Sequence, residues 1–246
     1  MGLEFDRLRE GVADEPDVDQ GLRRFLLQVY LKVAGGLALS AAIAWAVVTL
    51  PALSRLFFVE IGGEMRLSGW GWALVVSPVL LIPVSAFTRA GTTARGAGWL
   101  YWTVSALVGG SLSLLAIVYA GETLISAFLV TASVFVALGL WGSVTRRNLS
   151  GLGHFLTAAL FGLIVALCVN LLTRNSLLEL VLDVLGVLIF SGLVATDTQR
   201  LKLIYYHLDD PERLGAASNY GALSLYLNFI NLFERLLALM GGRPRR

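Results

Sequence analysis

This 246-residue sequence is short of charge. Asp, Glu, Lys and Arg together make 15% of it, where a soluble domain carries roughly 25%. So sparse a charge cannot solvate the surface of a large water-soluble fold. There is one cysteine, Cys168, inside an apolar run; it excludes an internal disulfide, and a small core residue is its expected role. Histidine is almost absent: His154 and His207 sit at the edges of apolar runs without metal-ligand spacing. No His-Glu-x-x-His run, P-loop or dinucleotide fingerprint occurs. The basic residues are scattered over loops rather than gathered on a face, so nucleic-acid binding has no support. Gly109-Gly110-Ser111-Leu112, with His154 as a base, faintly suggests an intramembrane serine nucleophile, but Gly–Ser pairs are common packing elements in membrane helices. The sequence is not expected to encode an enzyme, and no cofactor is expected.

What the chain does have is a succession of charge-free runs. No Asp, Glu, Lys or Arg occurs in 33–54, 67–88, 96–121, 123–145 or 148–173. Crossing the hydrocarbon takes about 20 apolar residues at about 1.5 Å each, and five such runs in succession exclude a set of ordinary buried helices. Two weaker segments follow: 177–196, which holds Glu179 and Asp183, and 214–233, which is charge-free but carries several polar side chains. The spacing predicts an all-α polytopic protein with spans near 25–50, 70–88, 98–119, 123–143, 152–173, 177–197 and 219–240. These form one domain, 25–241, between an acidic, mobile tail (1–24) and a basic tail (242–246). The first tail lacks the basic, cleavable character of a signal peptide, since seven acids face Arg7 and Arg9 across 3–20. The first span is then expected to act as an uncleaved signal anchor.

Trp70, Trp72, Trp99, Trp102 and Trp141 fall near the expected span ends, where amphipathic rings favour the interface. Small residues recur every fourth position, as Gly36, Ser40 and Ala44 and again as Ala158, Gly162 and Ala166. Such faces let helices approach closely, although they are also ordinary membrane composition. Eleven basic residues lie in the N-terminal tail and the even-numbered loops, against Arg55, Arg66 and Arg174 in the others. This bias predicts a cytoplasmic N-terminus. Seven full spans place Arg243, Arg245 and Arg246 on the far side, whereas a re-entrant last segment keeps them inside; the length of the segment favours seven.

Polar groups enter the last span in register. Tyr220, Ser224, Asn228, Asn231 and Arg235 step by three or four and share one helix face. In hydrocarbon such a face must meet protein or water, so it either lines a cavity or makes interhelical hydrogen bonds. On the sixth span Asp183 and Asp197 lie about 21 Å apart along the axis and cannot form a dyad with each other. Asp197 sits toward a helix C-terminus, where the dipole disfavours an anion, and needs a cationic partner, water or a metal; Arg200, one turn on, is a candidate. Asp183 and Glu179 read as surface or snorkelling acids.

At these two helices the chain resembles the Bax inhibitor-1 family, also called the transmembrane BAX inhibitor motif family, in its bacterial form. The matching stretches are Val18-Asp19-Gln20-Gly21-Leu22-Arg23, Thr145-Arg146-Arg147-Asn148-Leu149-Ser150-Gly151, Thr196-Asp197-Thr198-Gln199-Arg200-Leu201-Lys202, and the run from Gly221-Ala222-Leu223-Ser224 to Asn228-Phe229-Ile230-Asn231-Leu232-Phe233. The resemblance implies seven helices with the last one central and a pH-sensitive calcium leak. It also implies a latch of two aspartates on the sixth and seventh helices, with a basic partner for the first. Asp197 matches the first aspartate, Arg89 matches the basic partner, and the second aspartate is replaced by Asn228. Two carboxylates within reach cannot both ionise cheaply, which makes such a pair a pH sensor. Asp197 opposite Asn228 lacks that like-charge term, so proton gating is expected to be altered. A calcium site at Asp197 would lose one formal charge and bind more weakly. Some bacterial relatives instead associate with membrane-bound proteases, an alternative that needs no conduction. The setting implied is a bacterial inner membrane, with lipid, calcium or another cation, and a membrane protease as the partners to consider.

Overall fold

The computed structural model describes residues 16–61, 64–73 and 93–241. Most of the expected second span (70–88), Arg89, residues 1–15 of the acidic tail and the basic tail 242–246 lie outside the described residues. Seven helices are described by their bounds: α1 (Pro16–Thr49), the short α2 (Pro51–Phe57), α3 (Ala94–Val118), α4 (Gly121–Val144), α5 (Ser150–Thr173), α6 (Ser176–His207) and α7 (Pro211–Met240). All but α2 are long and apolar enough to cross a membrane, which makes six candidate spans among the described residues.

Three of these helices run past the expected spans. Residues 16–24, expected as tail, are the first turns of α1. They continue an apolar stripe in which Leu22, Phe25, Val29 and Val33 are all buried, the 3–4 spacing of a helix packed on one side. The α6 helix continues to His207 and α7 begins at Pro211, so the pair forms a hairpin extending beyond its apolar stretches. Asp210 caps α7 by accepting the Glu212 N–H, and Pro211 follows at a position where its missing N–H costs nothing. One element departs from the all-helical expectation. Phe58–Ile61 (β1) and Glu64–Leu67 (β2) pair antiparallel with Phe58 opposite Leu67, a small hairpin in the first loop.

Packing separates inner from outer helices. The α7 helix packs against α1, α3, α4 and α6, and half of its apolar window is buried within the chain, against 17% for α5. The α5 surface is left for lipid: Phe155, Phe161, Val165 and Leu172 are exposed. Cys168 lies on this surface too and is exposed, not the core residue expected. Of the two small-residue faces that could receive a helix, the one at Gly162 looks into open space. At Gly36 and Ser40 the expectation of close approach holds. Ser40 Oγ lies 2.8 Å from the Ser105 carbonyl and 2.7 Å from the Tyr226 hydroxyl, and a Cβ at Gly109 would stand 2.6 Å from Ser40 Cα. Polar side chains thus join α1, α3 and α7, giving one another the partners that hydrocarbon cannot supply.

Candidate functional site

The site forms where α7 faces the last third of α6. Asp197, half-buried, accepts two hydrogen bonds on Oδ2: Ser224 Oγ donates at 2.6 Å and Asn228 Nδ2 at 2.9 Å. Ser224 and Asn228 lie one turn apart on α7, so both reach the same acceptor. Asn228 is 7% exposed. Beyond this contact a cavity of about 700 Å³ opens along the hairpin. Asp197, Ser224 and Tyr220 line it, with Arg200, His207, Glu212 and Arg213 toward the turn and Leu201, Ile204 and Gly221 as apolar wall. Arg200, the candidate partner one turn on, lines the same cavity without a hydrogen bond or ion pair to the described residues, while Ser224 and Asn228 of α7 donate to the carboxylate.

The turn that carries Asp197 is held from three sides. Thr198, the next residue, shares a 2.8 Å hydrogen bond with the Tyr30 hydroxyl of α1. Gln199, 4% exposed, clamps the α4–α5 loop: its Oε1 accepts the Leu149 N–H at 2.7 Å and its Nε2 donates to the Arg147 carbonyl at 2.8 Å. Successive helix residues point about 100° apart, which lets three neighbours reach α7, α1 and a loop. Fixing the helix this way fixes where the carboxylate points.

The other residues singled out from sequence have different fates. Asn231 shares the α7 face, but its Nδ2 donates to the Leu227 carbonyl of its own helix. Asp183 is not a snorkelling acid: it is 2% exposed and pairs with Arg235 Nη1 at 3.0 Å. Ser111 Oγ donates to the Val108 carbonyl within α3, and His154 is exposed on α5. Among the described residues no three His, Cys, Asp or Glu side chains gather as metal ligands. Sequence reasoning missed the Gln199 clamp and the Tyr30–Thr198 contact, both of which join residues more than fifty positions apart or reach backbone atoms. The only available signal for Thr198 and Gln199 was their place in the motif around Asp197.

Comparison with known proteins agrees with this architecture. The profile of the family described as "Inhibitor of apoptosis-promoting Bax1" matches residues 22–245. An uncharacterised protein of Caulobacter vibrioides is 45% identical over 234 residues, covering 94% of each chain. The inner membrane protein YbhL of Escherichia coli is 38% identical over 228 residues, covering 91% of this chain and 93% of its own. An uncharacterised membrane protein of Streptococcus pyogenes is 36% identical over 223 residues, covering 91% of this chain and 94% of its own. With six helices fit to cross a membrane and a match spanning nearly all of its length, this chain belongs to the Bax inhibitor-1 family of integral membrane proteins.

Proposed function

We propose that the chain is a non-enzymatic leak path for calcium or another cation, gated at Asp197, in a seven-span bundle of the bacterial inner membrane with α7 at its centre and its N-terminus in the cytoplasm. The observation that carries this reading is the Asp197 carboxylate, held by Ser224 and Asn228 at one end of an open cavity of about 700 Å³. An ionisable group inside a membrane span is costly and marks an ion or proton path by default. The central place of α7 is supported by its contacts with four other helices. The second span (70–88) and Arg89 complete the proposal as a seventh crossing and a basic partner for Asp197.

Calcium is the passing ion in this reading rather than a resident one. One carboxylate, one hydroxyl and one amide are a weak set for an ion that takes six to eight oxygens, and weak holding suits passage. Gating by a proton shared between two carboxylates is unavailable here, because position 228 supplies an amide. Opening instead requires the Ser224 and Asn228 donors to release Asp197. Purified full-length protein in liposomes with an enclosed calcium indicator tests this. Wild type should pass calcium faster than protein-free liposomes, and Asp197→Asn should change that rate. Flux at the protein-free level at every pH, for both proteins, would reject the leak; capture of a membrane protease in its place would favour the non-conducting alternative.

A further inference from the structure

The cavity beside Asp197 has the size of a small-molecule pocket. Its volume of about 700 Å³ falls within the usual range of roughly 300–1,000 Å³. Among the described residues around it are two acids, Asp197 and Glu212, and two arginines, Arg200 and Arg213. In number they balance, but in partners they do not. Asp197 accepts from Ser224 and Asn228 and has a further contact besides. Glu212 Oε1 accepts the Ala94 N–H at 2.8 Å, at the positive end of α3. Neither arginine makes a hydrogen bond or ion pair with the described residues, and both are exposed at the cavity. The other charged and titratable groups of the turn do not alter this. Asp209 and Asp210 lie outside the lining, where Asp210 caps α7, and His207 turns its Nδ1 to the Leu203 carbonyl at 2.7 Å. Two guanidiniums from facing helices thus stand at one cavity with their donors open.

We propose that this cavity binds a phosphate-bearing ligand, with Arg200 of α6 and Arg213 of α7 on the phosphate and Leu201, Ile204 and Leu208 against its apolar part. The proposal goes beyond the leak reading and needs no conduction. A guanidinium presents paired donors in a plane, which match the oxygens of a phosphate. A tetrahedral phosphate offers oxygens in several directions, so arginines from two helices can each take a pair; a carboxylate offers a single such edge. The place in the fold agrees. The cavity lies where α6 and α7 run beyond their apolar stretches, at the level of lipid headgroups, and basic pockets between membrane helices bind phosphate headgroups. Leu201, Ile204 and Leu208 give the same cavity an apolar wall, which suits whatever the phosphate is joined to. Two sources carry this chemistry: a lipid of the adjoining leaflet and a soluble phosphorylated compound.

Native mass spectrometry of the full-length protein in detergent tests this, because it counts bound molecules. The probes are phosphatidylglycerol, glycerol phosphate and diacylglycerol, which offer the phosphate with chains, the phosphate alone and the chains alone. Wild type should hold one molecule of a phosphate-bearing probe more tightly than any further copies, and should not hold diacylglycerol at the same concentration. Arg200→Gln and Arg213→Gln should each weaken that first molecule by about tenfold or more, the equivalent of about 1.4 kcal/mol. Both side chains are exposed, so the variants should fold and melt as wild type does. Arg146→Gln removes an exposed arginine outside the cavity and should leave binding unchanged. Tight binding of phosphatidylglycerol alone supports a lipid headgroup as the ligand. Binding of glycerol phosphate with the same dependence on both arginines supports a soluble phosphorylated compound. Equal weakening in all three variants is the general attraction of a basic face and overturns the proposal. So does binding that neither cavity variant weakens, the lack of a tight first molecule in wild type, or equal retention of diacylglycerol. None of these outcomes depends on calcium flux, so the leak stands or falls separately.

Discussion

Asn228 donates its side-chain amide to Asp197 across the α6–α7 seam at 2.9 Å, onto the same carboxylate oxygen that accepts Ser224 Oγ at 2.6 Å. The contact is one of donor to anion. An aspartate at 228 would make it one of anion to anion, which a shared proton can bridge. This difference makes the site's response to pH a test of its role.

The Asn228→Asp variant should therefore acquire a pH dependence that wild type lacks at this contact. At low pH a proton between the two carboxylates restores the bond. As pH rises the proton is lost, like charges face each other and the seam loosens. The variant should melt at progressively lower temperature than wild type, and leak more, as pH is raised. Thermal unfolding in detergent and calcium flux over the same pH series check this. Superimposable curves for the two proteins would remove Asp197–Asn228 from any gating role.

Ser224→Ala deletes the shorter of the two bonds without adding charge. Hydrogen bonds to ionised groups are worth about 1.5–3 kcal/mol, and because Asp197 keeps its Asn228 donor and borders the cavity, the lower end is expected. The variant should remain folded, with a melting temperature a few degrees lower and a higher calcium leak at neutral pH. An unchanged leak alongside a lowered melting temperature would make Ser224 a structural contact only.

Six of the expected spans and the α7 face were legible in the sequence because each is a local pattern: apolar runs of sufficient length, and polar residues at a spacing of three or four. The helical overhangs were not. Residues 198–207 of α6 and 211–218 of α7 are mixed in charge and resemble loop by hydropathy, yet they continue their helices and enclose the cavity. Asp183 was misread for a related reason. Beside Glu179 near a span end it looks like a snorkelling acid, while its partner Arg235 lies 52 residues further on. The small residues show the same limit. Gly36-x-x-x-Ser40 and Ala158-x-x-x-Gly162 are alike in sequence, but the first meets α3 and the second meets open space, because which face is inward depends on the whole bundle.

That contrast gives a paired prediction. Gly109→Leu places a Cβ 2.6 Å from Ser40 Cα and 2.8 Å from its carbonyl oxygen, both backbone atoms that cannot swing aside. It should force α1 from α3, break the Ser40–Tyr226 contact and cost several kcal/mol, at or above the usual range for overpacking of about 1–3 kcal/mol. Gly162→Leu adds the same side chain on the outer face of α5 and should leave melting temperature and expression at wild-type levels. Equal damage from both would mean that α5 is covered by something other than lipid.

The Gln199 clamp supplies the most local test. Gln199→Leu keeps the volume near that of glutamine but leaves the Leu149 N–H and the Arg147 carbonyl without their side-chain partners. An abandoned buried polar group costs about 1–3 kcal/mol, so the α4–α5 loop should open more often while α6 itself stays helical. Hydrogen exchange reads this at one atom: the Leu149 amide, protected in wild type by Gln199 Oε1, should exchange at least about tenfold faster, the equivalent of about 1.4 kcal/mol. The amides of the α6 turn around Val194 should be little changed. If the loop amide is unaffected, Gln199 does not hold it; if the exchange change spreads through α6 to Asp197, the loop and the carboxylate open as one unit, and the exposed Arg146–Arg147 segment becomes a handle on the site.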